Sequence, residues 1–435
     1  MITVAHSNDN ILFAHRCNTV FQSKKRMNET LKKIIVYSAL FLFLSSLLMV
    51  DRSNTAKTIN KALGLSFFPL WLVFSRRLIV LNRELVLYFC FIAWCLVTIA
   101  FNGGSWDYAY VHLKTMIQLG ILMVLVTGIL YEERDLNGLA FAIIGFFLVA
   151  YIGSWFGLEA STDQGQIKRM QGVTTNPNVL GFTTIYGLLA VLYLIEKNQF
   201  YGIGTFFKWN WWIPFAFFAA LILPTGSRKS LITVFILLFG YALLKSTRNR
   251  TFIAITSILF ILASYFLYDS LVIYVQQTAM GERLFVRETL ESGASIRLSL
   301  YQQGWNIFWE HPIMGVGLNN FQRFSDTGHE AHSYYIELLA GSGIVGFMII
   351  ASVYFSLLRK SLRLFKRNCM NAETMMALGF LMSTFVMGFG YSHHRSIDHW
   401  IILAVIVAVI SQPKPNSLHR ADFAEQLSSR ASINH

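Results

Sequence analysis

Two residue types stand in this chain where ordinary packing does not account for them. Arg228 is wedged in Pro224-Thr225-Gly226-Ser227-Arg228 between two apolar runs. A charge at membrane depth costs about 2.5–3.5 kcal/mol on insertion scales and usually marks a pathway or a ligand. Arg169, beside Lys168, precedes another apolar run, and Arg395 sits between the last two. A guanidinium presents a planar fork that matches two anionic oxygens, so arginines gathered near a bilayer edge suit a phosphate or pyrophosphate. The competing reading is an arginine that snorkels to the interface. Lys168 and Lys229 fit that second reading better.

Histidine is the other type. His329, His332, His393, His394 and His399, out of eleven, fall on or near one face. His329-Glu330-Ala331-His332 invites a metal, but the zinc motif needs histidines at i and i+4, and these stand at i and i+3. No Asp-x-Asp pair lies on that side to hold a divalent cation. The expectation is therefore no metal site. A neutral imidazole with a pKa near 6.5 is suited to accept a proton from a hydroxyl. His332 is the candidate base, with an interfacial polar residue as the alternative.

The elements that must position these residues are membrane helices. The chain has 435 residues, 54% hydrophobic, 15% aromatic and 14% charged, against about 25% charged in soluble proteins. That composition excludes a soluble multidomain enzyme, a disordered chain and a disulfide scaffold. Cys17, Cys90, Cys95 and Cys369 all lie outside the long polar loop, so no structural disulfide is expected. The net charge of +13, from 36 Lys+Arg against 23 Asp+Glu, reads as basic residues retained in cytoplasmic loops rather than as a nucleic-acid surface.

A bilayer core needs about 20 apolar residues in helical form. About twelve segments qualify, several of them short: 34–50, 59–75, 84–101, 113–131, 136–158, 178–195, 212–224, 230–245, 251–269, 336–357, 374–391 and 399–411. The first follows a Lys-rich stretch as a signal peptide would. It lacks a small-x-small cleavage site and ends in Val50-Asp51-Arg52, so it reads as a retained helix. With the N-terminus inside, the densest basic clusters all fall in the cytoplasm: Lys24-Lys25-Arg26, Arg76-Arg77, Lys245/Arg248/Arg250, and Arg359 to Arg367. The expected organisation is an all-α polytopic membrane protein. It has a cytoplasmic tail (1–33), nine spans (34–269), one large outer loop (270–335), three spans (336–411) and a second cytoplasmic tail (412–435).

Within the outer loop, Leu298, Tyr301, Trp305 and Phe308 recur at helical spacing with Gln302, Gln303 and Asn306 between them. That pattern predicts a helix lying on the membrane with its apolar side down. Gly315-Val316-Gly317, after His311-Pro312, reads as the turn that ends it. Gly341-Ser342-Gly343-Ile344-Val345-Gly346 matches a dinucleotide fingerprint by letters, but it runs into an apolar span and follows no strand. Close helix packing explains it better. Residue types and spacing carry the argument as far as an anionic lipid approached from outside, plus a candidate base.

Three stretches resemble hallmarks of the bacterial O-antigen ligase and polymerase superfamily. The first is Arg169-Met-Gln-Gly172 with Asn176-Pro177-Asn178-Val-Leu-Gly181, and the second is Thr225-Gly-Ser227-Arg228-Lys-Ser. The third, and most specific, is the outer loop: Arg297, Trp305, His311-Pro312-Ile-Met-Gly315-Val-Gly317, and His332-Ser-Tyr-Tyr-Ile-Glu337 continuing to Gly346.

The resemblance implies a glycosyltransferase of the bacterial inner membrane, acting at its periplasmic face without cofactor, nucleotide sugar or metal. The donor would be a glycan on undecaprenyl pyrophosphate. By matching position, Arg169 and Arg228 would neutralise the pyrophosphate leaving group. His332 would orient or deprotonate the attacking sugar hydroxyl, giving inversion. Arg297 and Arg395 would be further anion contacts, and Asn178 a further substrate contact. Glu337 lies about 140° around a helix from His332, which argues against direct pairing within one helix. A ligase would pass the glycan to the lipid A core, and a polymerase to a second lipid-linked repeat unit. A single dominant outer loop with a basic face favours the ligase. A transporter of the same lipid would more often show broken helices in matching halves, and none are evident.

Overall fold

The computed structural model describes residues 29–48, 53–75, 80–101, 106–130, 135–155, 170, 177–197, 210, 212–245, 287–326, 328–368, 371–391 and 396–411. Among them every regular element is helical. In chain order these are α1 (Glu29–Leu47), α2 (Asn54–Phe74), α3 (Arg83–Phe101), α4 (Trp106–Ile129), α5 (Asn137–Trp155) and α6 (Pro177–Glu196). Then follow α7 (Trp212–Ile222), α8 (Arg228–Lys245), α9 (Arg287–Glu310), α10 (Phe321–Phe324), α11 (Tyr334–Asn368), α12 (Ala372–Gly388) and α13 (Ile397–Ile410).

Each apolar run expected within the described residues coincides with a helix; the run 251–269 lies outside them. Among the described residues, five helices are long and apolar enough to cross a membrane: α1, α3, α6, the His112–Ile129 part of α4 and the Tyr334–Lys366 part of α11. Helices α7, α12 and α13 are apolar but shorter, as is the Asn137–Ile152 part of α5.

Helices α6 and α13 form the centre, buried along almost their whole length. A helix apolar all round belongs in an interior. This placement corrects one expectation. His399 is fully buried in α13, between the Tyr186 hydroxyl (3.2 Å) and the Tyr354 hydroxyl (3.0 Å), and stacks on Phe380. It is a satisfied core histidine, not an outer-face one. Its polarity is accommodated by two tyrosines that are themselves part of the core.

Helices α2 and α4 run side by side in the same direction. Trp71 and Ser75 close the far end of α2 against Gly128 of α4. Asn60 donates to Ser46 Oγ of α1 at 2.7 Å. Loop residues Leu318 and Asn319 rest on Ile99, Leu113 and Met116, so the start of α4 lies at the same end of the bundle as the loop 311–320.

Helix α9 forms where the spacing predicted a helix, but with two apolar faces rather than one. Leu300, Ile307 and Phe308 are buried, whereas Leu298, Trp305 and Trp309 are exposed. The inward face packs on Phe321, Ala331, Val316, Ala340 and Ile336. Gly304 lets it close on Ile336. Glutamines at the remaining positions hid this second stripe from a reading that sought a single one.

Helix α11 is longer than the expected span and is broken at Gly343 (φ 64°, ψ −171°), a conformation open essentially to glycine alone. The break seats the turn after α9. Ile344 N–H donates to Pro312 O (2.8 Å) and Val316 N–H to Ala340 O (2.9 Å). A Cβ on Gly315 would lie 2.5 Å from the Gly341 carbonyl carbon, and one on Gly343 would strike Ile313 O. Trp94 Nε1–H from α3 donates to Ser342 O at the break (2.8 Å). The glycine pattern therefore admits a loop as well as close packing.

Candidate functional site

The Thr225-Ser230 motif explains its own geometry. Leu223–Thr225 is a single 3-10 turn, and Gly226 (φ 63°) reverses the chain into α8. Thr225 Oγ1 donates to Ile222 O (2.7 Å) and accepts from Ser227 N–H (3.2 Å); Ser227 Oγ meets Ser230 Oγ at 2.8 Å. Thr225, Ser227 and Ser230 are buried, which leaves Arg228 and Lys229 half-buried at the mouth.

Behind this turn stands the start of α6, with Pro177 and Asn178. Pro177 opens α6, where a missing N–H costs nothing. Gly181, one turn in, abuts Ser227 and Ser230 so closely that a Cβ would meet both. Asn178 stands on that first turn, half-buried. Met170 N–H donates to Pro224 O at 3.0 Å, which ties the segment bearing the first motif to the second. Arg169 itself lies outside the described residues, as do Lys168, His393, His394 and Arg395.

The third component arrives from α9 and the start of α11. Arg297 faces Arg228, and burial together with this neighbouring charge lowers the Arg228 pKa from its ordinary value. One turn along α9, Tyr301 donates its hydroxyl to Phe389 O (2.6 Å) and also interacts with Ser333 and with Arg297. Burial raises its pKa, partly offset by that arginine and serine.

His332 immediately precedes the N-cap of α11 and holds a left-handed backbone (φ 53°). That conformation is uncommon outside glycine and tends to cluster at functional sites. Its pKa lies below the ordinary value, mainly because its charged form is poorly solvated there. Lys229, Arg297 and His329 lower it further, and Glu330 opposes them. The His332 imidazole is thus held in its neutral form at neutral pH. Glu337 is buried within α11, its N–H bonded to Ser333 O (3.0 Å), and His332 lies before the helix that carries it.

Of the expected residues, the structure brings together Arg228, Arg297 and His332. Two residues were missed. Lys229 read as ordinary interfacial charge, yet it donates to Gly390 O and adds to the field on His332. Tyr301 read only as part of an apolar stripe. Its position one turn from Arg297 was the available signal. Among the described residues, no three His, Cys, Asp or Glu side chains gather as a metal site would require.

An apolar cavity of about 660 Å³ lies among α6, α8, α11 and α12, running from Phe385 near this cluster toward Leu358 and Met375 at the other end of those helices. Phe385, Met382, Leu237 and Leu189 line it. Phe385 O accepts from Tyr335 (2.7 Å), and one turn on, Phe389 O accepts from Tyr301. The Phe385 end of the cavity therefore lies near the cationic cluster.

This chain is similar to the teichuronic acid biosynthesis protein TuaE of Bacillus subtilis (strain 168), 24% identical over 225 residues. The match covers 46% of this chain and 45% of that protein, so the chain spans less than half the length of this relative. Residues 213–351 match the Wzy_C family, described as O-antigen ligase. That stretch, which contains the second of the three motifs and most of the third, holds Arg228, Arg297 and His332.

Proposed function

We propose that the protein is a glycan transferase of the inner membrane, acting at its periplasmic face on a glycan carried by undecaprenyl pyrophosphate. The observation that carries this reading is that Lys229 and Arg297 both act on His332 while Arg297 also faces Arg228. A cationic cluster suits a pyrophosphate, and the adjoining apolar cavity suits the prenyl chain attached to it.

In this reading the acceptor hydroxyl oxygen attacks the anomeric carbon as the bond to pyrophosphate breaks. The leaving oxygen departs with the bonding electrons, toward guanidiniums already in place; Arg169 and Arg395 would complete the set. Fixed positive groups aimed at developing charge stabilise the transition state with little reorganisation. His332 takes the hydroxyl proton, and attack opposite the leaving group inverts the anomeric centre. The arginines supply the charge neutralisation, so the reaction is proposed to be metal-independent and to persist in chelator.

The favoured acceptor is the lipid A core, as the family description suggests. A polymerase joining lipid-linked repeat units is the second reading, because the similar protein is named for the biosynthesis of a different glycan. Deletion followed by gel analysis of lipopolysaccharide, beside the pool of carrier-linked glycan, separates them. Bare core with long chains accumulating on the carrier supports the ligase. Core bearing one repeat unit supports an O-antigen polymerase, and an unchanged profile removes the ligase, points to another exported polysaccharide and reopens the transporter reading.

A further inference from the structure

A second cavity, of about 370 Å³, opens between α2 and α4, and none of His332, Arg228 and Arg297 lines it. Its walls change character along its length. Asn60, Lys61, Thr115 and Gln118 stand toward the helix starts, with Leu65 and Phe68 beyond them. One turn further out, Lys57 precedes Lys61 on α2, and Lys114 precedes Gln118 on α4; residues four apart share a helix face. All three lysines are exposed, and none forms an ion pair with a described residue. The stretch from Lys57 to Phe68 spans about 16 Å of helix. Cations and amides at one end and hydrocarbon at the other make the pattern of an amphiphile with an anionic head.

We propose that this cavity binds an anionic phospholipid of the surrounding bilayer, with its headgroup on Lys57, Lys61 and Lys114 and an acyl chain along Leu65 and Phe68. Basic pockets between membrane helices recognise such headgroups by charge, and hydrocarbon contact adds chain affinity. Snorkelling lysines alone would supply the charge without the pocket beneath it. This site is independent of the proposed transfer reaction and is tested without it.

The test is lipid binding by the full chain in detergent, titrated with phosphatidylglycerol and with phosphatidylcholine. Wild-type protein should prefer phosphatidylglycerol, each lysine contributing about fivefold at low salt. K57Q/K61Q/K114Q should lose the preference. Leu65→Trp, which fills the cavity without altering charge, should weaken phosphatidylglycerol binding. Raising the salt to molar strength should erode the wild-type preference as screening shortens its reach. A preference that survives the triple substitution, or that ignores salt, overturns the proposal. So does a Leu65→Trp protein that binds as tightly as wild type, because the lysines would then attract lipid with no site.

Discussion

Arg297, on α9, faces Arg228, the first residue of α8, whose hold on a proton is weakened first by burial and then by this second guanidinium. Two guanidiniums in that position repel each other, and an anion placed between them converts the repulsion into binding. The turn at Gly226 and the buried hydroxyls of Thr225, Ser227 and Ser230 fix one partner. The Leu300–Ile307 face of α9 fixes the other.

Replacing Arg228 with alanine is therefore expected to cut transfer by about 10²–10³-fold, the loss typical of a preorganised charge-stabilising donor. Arg228→Lys should recover part of it, restoring charge without the planar fork. The loss should appear in kcat as well as in donor affinity. Wild-type turnover in Arg228→Ala would remove the anion role.

The acid side of the pH–rate profile should report His332. Its pKa is depressed, so the neutral base is present at neutral pH and is lost only as pH falls through a value below 6.5. Arg297→Gln removes a neighbouring positive charge, which raises the His332 pKa and moves the acid limb upward. Glu330→Gln removes a negative charge and moves it downward. Lys229 and His329 also face the ring and stay unchanged in both variants. Profiles of kcat/KM that move in the opposite directions, or not at all, would place the proton elsewhere.

Helix positions were legible because apolar length is a local property. The break between 212–224 and 230–245 was visible in Pro224 and Gly226, and the structure ends and starts helices there. The roles of Lys229 and Tyr301 were not legible, because their partners, Gly390 and Phe389, are remote in sequence. His399 misled for the same reason: the tyrosines that satisfy it come from α6 and α11. Arg228, Arg297 and His332 could be singled out by residue type and resemblance, while their proximity required the fold.

The backbone at His332 determines which substitution is informative. Asparagine tolerates a left-handed conformation better than alanine does, so His332→Asn removes the base with less backbone strain than His332→Ala. Both should abolish transfer, but His332→Asn should elute and unfold like wild type. Substantial activity in His332→Asn would show that a base other than this imidazole serves.

Gly343→Ala should destabilise the outer loop without touching any charged residue of the site. Its backbone geometry costs a non-glycine residue about 1–3 kcal/mol, and the new methyl would meet Ile313 O and Met314 N. The turn 311–317 must then lift from α11, carrying the end of α9 and with it Arg297. Thermal unfolding in detergent should fall by several degrees, and donor affinity should fall with it. Unchanged affinity would mean that the interlock does not position Arg297.

At the opposite end of the bundle, buried Glu84 of α3 accepts from Lys360 (2.7 Å) and from Ser356 (2.6 Å) of α11, and Lys360 also reaches Ser411 (2.9 Å). This ion pair joins α3 to α11 and to the residue after α13. Removing one partner of such a pair leaves a buried charge and costs about 3–5 kcal/mol. Lys360 is one-quarter exposed while Glu84 is nearly inaccessible, so Lys360→Met should cost nearer the lower figure. Lys360→Met with Glu84→Gln should recover much of it, because no uncompensated carboxylate remains. Both variants should transfer glycan normally per folded molecule, since the pair lies at the far end of α11 from His332. A double variant no more stable than Lys360→Met would show that packing around Lys360, rather than its charge, holds the three helices together.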